Sequence, residues 1–353
     1  MNQNSPDIKS LLNQFSLQKF LTKRLLRFIH DEGIFQLLAS MQRFVIDEVI
    51  ETLQLKSGYR LQDETRIRMV KVLIDLLYEC EYLVYKNNVY QWNRGRNLKI
   101  CLEDEERKVV ESSLRGMVDF FEECIGYAGD FFRGAAPRFR FDNGSTSAWE
   151  RFLGNAEFSF IRSVLLKLLM FEKRDTGNIL DLCYGPGFGL AQIQERLPEV
   201  RLMALDFTDN FYRQAAGRLP DAHAVKWIKS ELWNGFGTPL PFDDNTVDSV
   251  LFTCADPYIP SEWREYVYRD LFRILKQGGT LGIMTHSYPD REKKYVRDTW
   301  IRAGILCHDF SESVCEGWQG FYNAEDSLNL FKEIGYHIYA VMLNASVWRL
   351  DKP

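Results

Sequence analysis

At 353 residues the chain exceeds one average domain and, at ~100 to 200 residues each, holds about two, which excludes a single small module. Hydrophobic residues make up 46% and charged residues 26%, which excludes a disordered chain, and the 14% aromatic fraction (25 Phe, 16 Tyr, 8 Trp) suffices both to fill cores and to line a pocket for a flat or apolar ligand. With 44 basic against 49 acidic residues, a net charge of −5 and no long block of one sign, the chain does not read as a holder of nucleic acid, because neutralising phosphates needs clustered Lys and Arg.

Met1 to Ser10 is polar and lacks the apolar stretch of a secretory signal, so a cytoplasmic protein is expected. From Ile8 to about Tyr78 apolar residues recur at helical spacing, as in Leu21, Leu25, Phe28 and Ile29, or Ile67, Val70, Ile74 and Leu77. Cys80 to Trp92 then alternates around a Lys86-Asn87-Asn88 turn and predicts a short β-hairpin. Helices followed by such a hairpin describe a winged-helix-like unit, which either packs and dimerises or reads DNA. A DNA-reading wing would gather Lys71, Lys86, Arg94 and Arg96 on one face. Helical spacing returns over Glu103 to Phe132, Gly134 to Ser147 reads as a linker, and Trp149 to Phe171 is helical again. The apolar run Val164 to Phe171 is broken by Lys167 and is too short to span a bilayer. The expected domains are therefore 1–145 and 146–353.

After Gly177 short β-rich runs alternate with helical ones: Ile179 to Cys183, Arg201 to Asp206, Ala224 to Ile228, Ser249 to Ala255 and Thr280 to His286. That alternation predicts βαβ units and a mostly parallel sheet. His337 to Leu343 and Ala345 to Asp351, separated only by Asn344, leave no room for a crossover and should pair antiparallel. Seven cysteines (Cys80, Cys101, Cys124, Cys183, Cys254, Cys307, Cys315) contain no CxxC pair, which fits reduced thiols. The spacing of Cys307, His308 and Cys315 does not make a zinc set, and no metal is expected.

The first β-run leads into Asp181-Leu182-Cys183-Tyr184-Gly185-Pro186-Gly187-Phe188-Gly189, a strand ending in a glycine turn before a helix. Such a turn brings backbone N–H groups up to a ligand. The dinucleotide spacing GxGxxG fails, since counting from Gly185 puts Leu190 in the third place, so nicotinamide or flavin fits poorly. Asp206, with Phe207 beside it, closes the second strand, where a carboxylate can accept both hydroxyls of a ribose. Glu231-Leu232-Trp233 follows the third strand, offering an acceptor and an aromatic face for an adenine, and then come Leu240 to Leu251 and Arg273 to Leu281.

In this ordered set, over about Gly177 to Asp351, the sequence resembles the class I S-adenosylmethionine-dependent methyltransferases. The resemblance implies a Rossmann-like α/β domain with a seven-stranded, mostly parallel sheet and an antiparallel C-terminal hairpin. It also implies that Asp181, Gly185 and Gly187 hold the methionine part of S-adenosylmethionine, Asp206 its ribose, and Glu231 with Leu232 its adenine. Cys183 stands where the family has its first loop glycine. The layout of helices, hairpin and connector before that core resembles the small-molecule O-methyltransferases, whose N-terminal domain dimerises and roofs the acceptor site. A homodimer and a small-molecule acceptor are implied, with no membrane and no nucleic-acid partner.

In open α/β sheets chemistry sits beyond the carboxyl ends of the strands, here at Cys254 to Tyr258 and Thr285 to Tyr288. Related O-methyltransferases place a catalytic His after the fourth strand, and none lies between Thr253 and Arg273; Asp256, Tyr258 and His286 are the alternative catalytic candidates. Asp256-Pro257-Tyr258 also resembles the (Asp/Asn)-Pro-Pro-(Tyr/Phe) loop of amino-methylating enzymes, without its second Pro. The segment Tyr288 to Asn323, with Trp300, Cys307, His308, Phe310, Cys315, Trp318, Phe321 and Tyr322, is long enough to act as a lid contributing rings to the acceptor pocket. Other readings are a regulator that keeps the cofactor fold and reads DNA with its wing, and a methyltransferase acting on RNA or protein.

Overall fold

A computed structural model describes residues 8–95, 104–169, 177–289 and 299–353. Arg96, Cys101, the last residues of the helical run ending at Phe171, the stretch 290–298 and the Trp300 side chain, all invoked above, lie outside the described residues. The chain forms two compact units, one from residues 1–140 and 293–320 and the other from 141–292 and 321–353.

The first unit is mainly helical. Its hairpin pairs β2 (Leu83–Lys86) with β3 (Val89–Trp92) through Asn87 and Asn88, both left-handed at φ 52° and 61°, the two-residue turn whose twist suits adjoining strands. A two-residue strand, β1 (Arg43–Phe44), adds to the other side of β3. Helix Thr299–Glu312 packs against helices Ile8–Asp31, Glu64–Glu79 and Arg115–Phe132 and is buried on every side from Ala303 onward. Its polar groups are matched internally. Asp309 pairs with Arg68 and accepts from Trp318 Nε1 at 2.9 Å, and His308 Nε2 meets Glu312 Oε2 at 3.1 Å. Cys307, Phe310, Cys315 and Trp318, all at most 3% exposed, thus fill the core of the helical unit. For these rings the lid expectation is corrected: they pack a helix, because a segment buried on all faces has no side left for a ligand.

The second unit is built on a seven-stranded sheet: β4 (Asn178–Leu182), β5 (Arg201–Leu205), β6 (Val225–Ile228), β7 (Val247–Thr253), β8 (Leu275–Met284), β9 (His337–Met342) and β10 (Val347–Asp351). The spatial order is β6-β5-β4-β7-β8-β10-β9; the first five are parallel, and β10 runs antiparallel to both β8 and β9. The Rossmann-like sheet and antiparallel hairpin expected from the sequence are both present. Leu343, Asn344 and Ala345, left-handed at φ 51°, 54° and 60°, make the hairpin turn. Leu180, Leu182, Val250, Phe252, Leu281 and Ile283 form the middle of the core with Tyr268, Leu271, Phe331 and Trp348. Central parallel strands covered on both faces read as nearly continuous apolar runs, which makes the charged residue inside β4 conspicuous. Among the described residues no helix is long and apolar enough to cross a membrane.

Candidate active site

Strand order reverses at β4, whose neighbours are β5 on one side and β7 on the other, and the crevice beyond such a switch point is where open α/β sheets hold ligands. The chain leaves β4 with three left-handed residues in alternation: Cys183 (φ 58°), Gly185 (φ 49°) and Gly187 (φ 83°). Cys183 N–H still donates to Leu205 O at 2.8 Å, so the turn begins while strand pairing with β5 is intact. At Gly187 a Cβ would lie 2.7 Å from both Cα and Cβ of Ala215, so glycine is required for packing as well as for φ. At Gly185 a Cβ would meet nothing nearer than Leu153 Cδ1 at 3.9 Å. The loop is therefore tight on its helix side and open at Gly185, the form of a cradle.

Asp181, the fourth residue of β4, is 1% exposed, and neither carboxylate oxygen has a hydrogen-bond partner. Burial pushes its carboxyl up to about 7; the Arg162 charge opposes this and the Asp206 charge adds to it. Asp206 follows β5 and is also buried. It accepts from Gly185 N–H at 2.9 Å (Oδ2) and from Thr208 N–H at 3.4 Å (Oδ1). Burial pushes it too up to about 7, with those N–H groups pulling the other way. The ribose candidate thus also braces the glycine loop. Asp206→Ala is expected to weaken binding of S-adenosylhomocysteine by about 10- to 100-fold, the worth of charge-assisted hydrogen bonds, read by titration calorimetry; unchanged affinity would place the ribose elsewhere.

Phe207 is half-buried, with its ring edge-on to Phe141 at 5.0 Å. Glu231 is exposed and Leu232 is 64% exposed, in a short turn after β6 that Ser230 N–H ties to Asp209 Oδ1 at 3.3 Å, next to the loop carrying Asp206. Trp233 goes elsewhere: it is 2% exposed, its Nε1–H donates to Thr238 O at 3.1 Å, and its ring packs against Phe236 in the sheet core. That core position gives it no face to offer an adenine.

Of the catalytic candidates, Asp256 is committed. It is 2% exposed, bonded by Arg264 Nε at 3.1 Å and Nη2 at 3.4 Å, and by Tyr268 Oη at 2.6 Å. A carboxylate so engaged is a packing element rather than an available base. Tyr258 is half-buried, its ring edge-on to Phe141 at 5.2 Å and to Trp149 at 6.4 Å. His286, at the end of β8, meets Ser346 Oγ through Nδ1 at 3.1 Å and stands edge-on to Phe321 at 5.4 Å. The structure therefore brings Asp181, Cys183, Gly185, Gly187, Asp206 and Phe207 to one strand-end region, with Tyr258 joined to Phe207 through Phe141.

Sequence reasoning passed over Arg162, Phe141 and Trp149 as site residues, whereas Cys254, at the strand end it did single out, proves left-handed (φ 60°) just after β7. Arg162, on helix Ala156–Leu168, is 3% exposed among Phe158, Ile161, Leu165 and Leu169, all buried. A charge occupying one slot of an apolar helix face was the available signal. Burial lowers its guanidinium from the ordinary value, partly offset by Cys254 and Asp181. Orphaned buried polar atoms on Asp181 and Arg162, an open Gly185 and a buried acid at the second strand end fit the nucleoside and amino-acid parts of S-adenosylmethionine.

Residues 179–279 match the family model described as a methyltransferase domain. A demethylmenaquinone methyltransferase of Listeria welshimeri is 30% identical over 132 residues, 36% of this chain and 52% of that protein, so the chain spans about half the length of the curated relatives it matches. Among solved structures, the CurJ carbon methyltransferase superposes with a TM-score of 0.68 at 14% identity over 98% of this chain and 94% of that one. An O-methyltransferase family 2 protein from Planctomyces limnophilus, in complex with apigenin, gives 0.58 at 13% identity over 99% and 98%. Sheet order, glycine loop, strand-end acids and family match together identify residues 179–279 as a methyltransferase domain on a Rossmann-like sheet, the kind whose cofactor is S-adenosylmethionine.

Proposed function

We propose that the protein transfers the methyl group of S-adenosylmethionine to a small-molecule acceptor with an aromatic or apolar part, through an oxygen, nitrogen or carbon nucleophile. The observation that carries this reading is the cluster of half-buried rings by Asp206, in which Phe141 meets Phe207 and Tyr258 edge-on and is backed by the buried Trp149, on which it stacks at 5.2 Å. Such rings bind flat apolar molecules at little entropic cost. Its neighbours in fold include a carbon methyltransferase and an enzyme holding apigenin, which agrees with an acceptor of this kind.

The bound cofactor supplies an electrophilic methyl carbon on a sulfonium. Asp181 anchors its amino-acid part and Asp206 its ribose, the ring cluster orients the acceptor and excludes water, and Tyr258 or His286 takes the proton where the acceptor loses one. Asp256 acts from behind by holding Arg264. We read the protein as a cytoplasmic homodimer joined through its helical unit and working in specialised metabolism. Titration calorimetry is expected to show S-adenosylmethionine and S-adenosylhomocysteine binding; no heat with either, alongside heat with a nicotinamide cofactor, would overturn the reading. Phenolic and polyketide-like acceptors with radiolabelled methyl donor then test the acceptor class.

A further inference from the structure

A cavity of about 740 Å³ opens in the second unit at the edge of the sheet, beside β6. Trp227 of β6, Tyr212 and Arg213 of helix Tyr212–Arg218, and Tyr184 of the glycine loop wall it. Asp206, Phe207, Glu231 and Leu232 do not line it, so it is distinct from the residues expected to hold the ribose and adenine of the donor. Tyr184 and Tyr212 both stand edge-on to Trp227, at 5.3 and 5.0 Å between ring centroids. Trp227 spends its Nε1–H on Ala222 O at 3.0 Å, so what it turns to the cavity is apolar ring. The polar groups divide unevenly. Asp209, the lining carboxylate, accepts from Ser230 N–H at 3.3 Å through Oδ1. Tyr184 is 6% exposed, and its hydroxyl has no hydrogen-bond partner among the described residues. Burial holds that phenol protonated, with the Asp206 and Asp209 charges adding, so it stands ready to donate. Arg213 and Lys229 are exposed on the cavity and form no ion pair among the described residues.

A buried phenol without an acceptor costs free energy that a bound acceptor recovers. Two cations against one carboxylate leave the cavity positive, and apolar rings on its walls suit a flat molecule. The complement of ring walls, an unsatisfied donor and a cationic rim is an aromatic ring carrying an anion. We propose that this cavity is a second ligand site, separate from the donor and acceptor sites, for a small aromatic carboxylate whose ring lies against Trp227 and Tyr212 and whose carboxylate accepts from Tyr184 and pairs with Arg213 and Lys229. One residue of the glycine loop, Tyr184, thereby forms a wall of this site.

The test uses 2-naphthoate as probe and 2-naphthamide as its uncharged match. In protein saturated with S-adenosylhomocysteine, titration calorimetry is expected to show one 2-naphthoate bound per chain, roughly tenfold tighter than 2-naphthamide and weakening as salt rises, as a charge-assisted contact at a partly exposed site does. Arg213→Gln combined with Lys229→Gln should bring 2-naphthoate down to the affinity of 2-naphthamide while leaving S-adenosylhomocysteine affinity and the circular dichroism spectrum unchanged. Tyr184→Phe, which keeps the ring, should weaken 2-naphthoate by about three- to tenfold. No binding of 2-naphthoate, or equal affinity for the two probes, would overturn the proposal. So would displacement of 2-naphthoate by S-adenosylhomocysteine, which would make the cavity part of the donor site, or full affinity in the doubly substituted variant, which would seat the probe elsewhere. If S-adenosylhomocysteine itself fails to bind, the methyl-donor reading falls, and the same comparison of probes and variants on the ligand-free protein decides this proposal separately.

Discussion

Asp256→Ala is expected to lower unfolding stability by about 3 to 5 kcal/mol, the cost of breaking a buried pair from one side. The loss comes from what remains: Arg264, 6% exposed, would keep its contact to Ser327 Oγ at 3.0 Å and its stack on Tyr322 at 3.8 Å but lose its counter-charge. Tyr268 would lose its acceptor as well, and burial keeps that phenol protonated, well above its ordinary value, with the Asp256 charge adding to the shift. Asp256→Asn keeps the shape and an acceptor for Tyr268, so its deficit should be smaller. Urea or thermal unfolding measures both. A variant as stable as the parent but unable to transfer methyl groups would instead make Asp256 a catalytic base.

The second large effect is on pH. In the ligand-free protein the carboxyls of Asp181 and Asp206 both stand at about 7, raised chiefly by burial. A cationic head and ribose hydroxyls need these groups ionised, so binding must expel whatever protons they carry. Affinity for S-adenosylhomocysteine should therefore fall by up to about tenfold per pH unit for each protonated carboxyl below pH ~7, and level off above pH ~8. The Asp206 charge adds to the rise at Asp181. Stability of the ligand-free protein moves oppositely to the usual carboxylate case. Because the folded state holds these protons up to about pH 7 and the unfolded state releases them near 4, their contribution is lost as pH rises across that window. Calorimetry in buffers of different ionisation enthalpy would read the released protons, and a dissociation constant flat from pH ~5.5 to ~8.5 would show that both groups are ionised before the ligand arrives.

Much of this was legible in the residues. Strands β4 to β8, the glycine turn and the Asn344 hairpin follow from short β-rich runs alternating with helical ones, glycine placement and spacing too short for a crossover, all properties of contiguous sequence. The placement of individual side chains was not. Trp233 looked like an aromatic face beside an adenine because it follows β6, yet its ring turns into the core against Phe236. Phe310 and Trp318 looked like lid residues because their segment follows β8, yet helix Thr299–Glu312 is enclosed by three others.

By itself the sequence determined the α/β class, the glycine loop after β4 and the two acids at the ends of β4 and β5, because each is a local pattern of backbone freedom, burial period or strand ending. Tertiary structure alone decided that Asp256 is spent on Arg264, that Phe141 links Phe207 to Tyr258, and that Arg162 lies by Asp181 with both left unsatisfied. Those outcomes depend on which helix covers which strand end. Packing over long sequence separations sets that, and no window of neighbouring residues contains it.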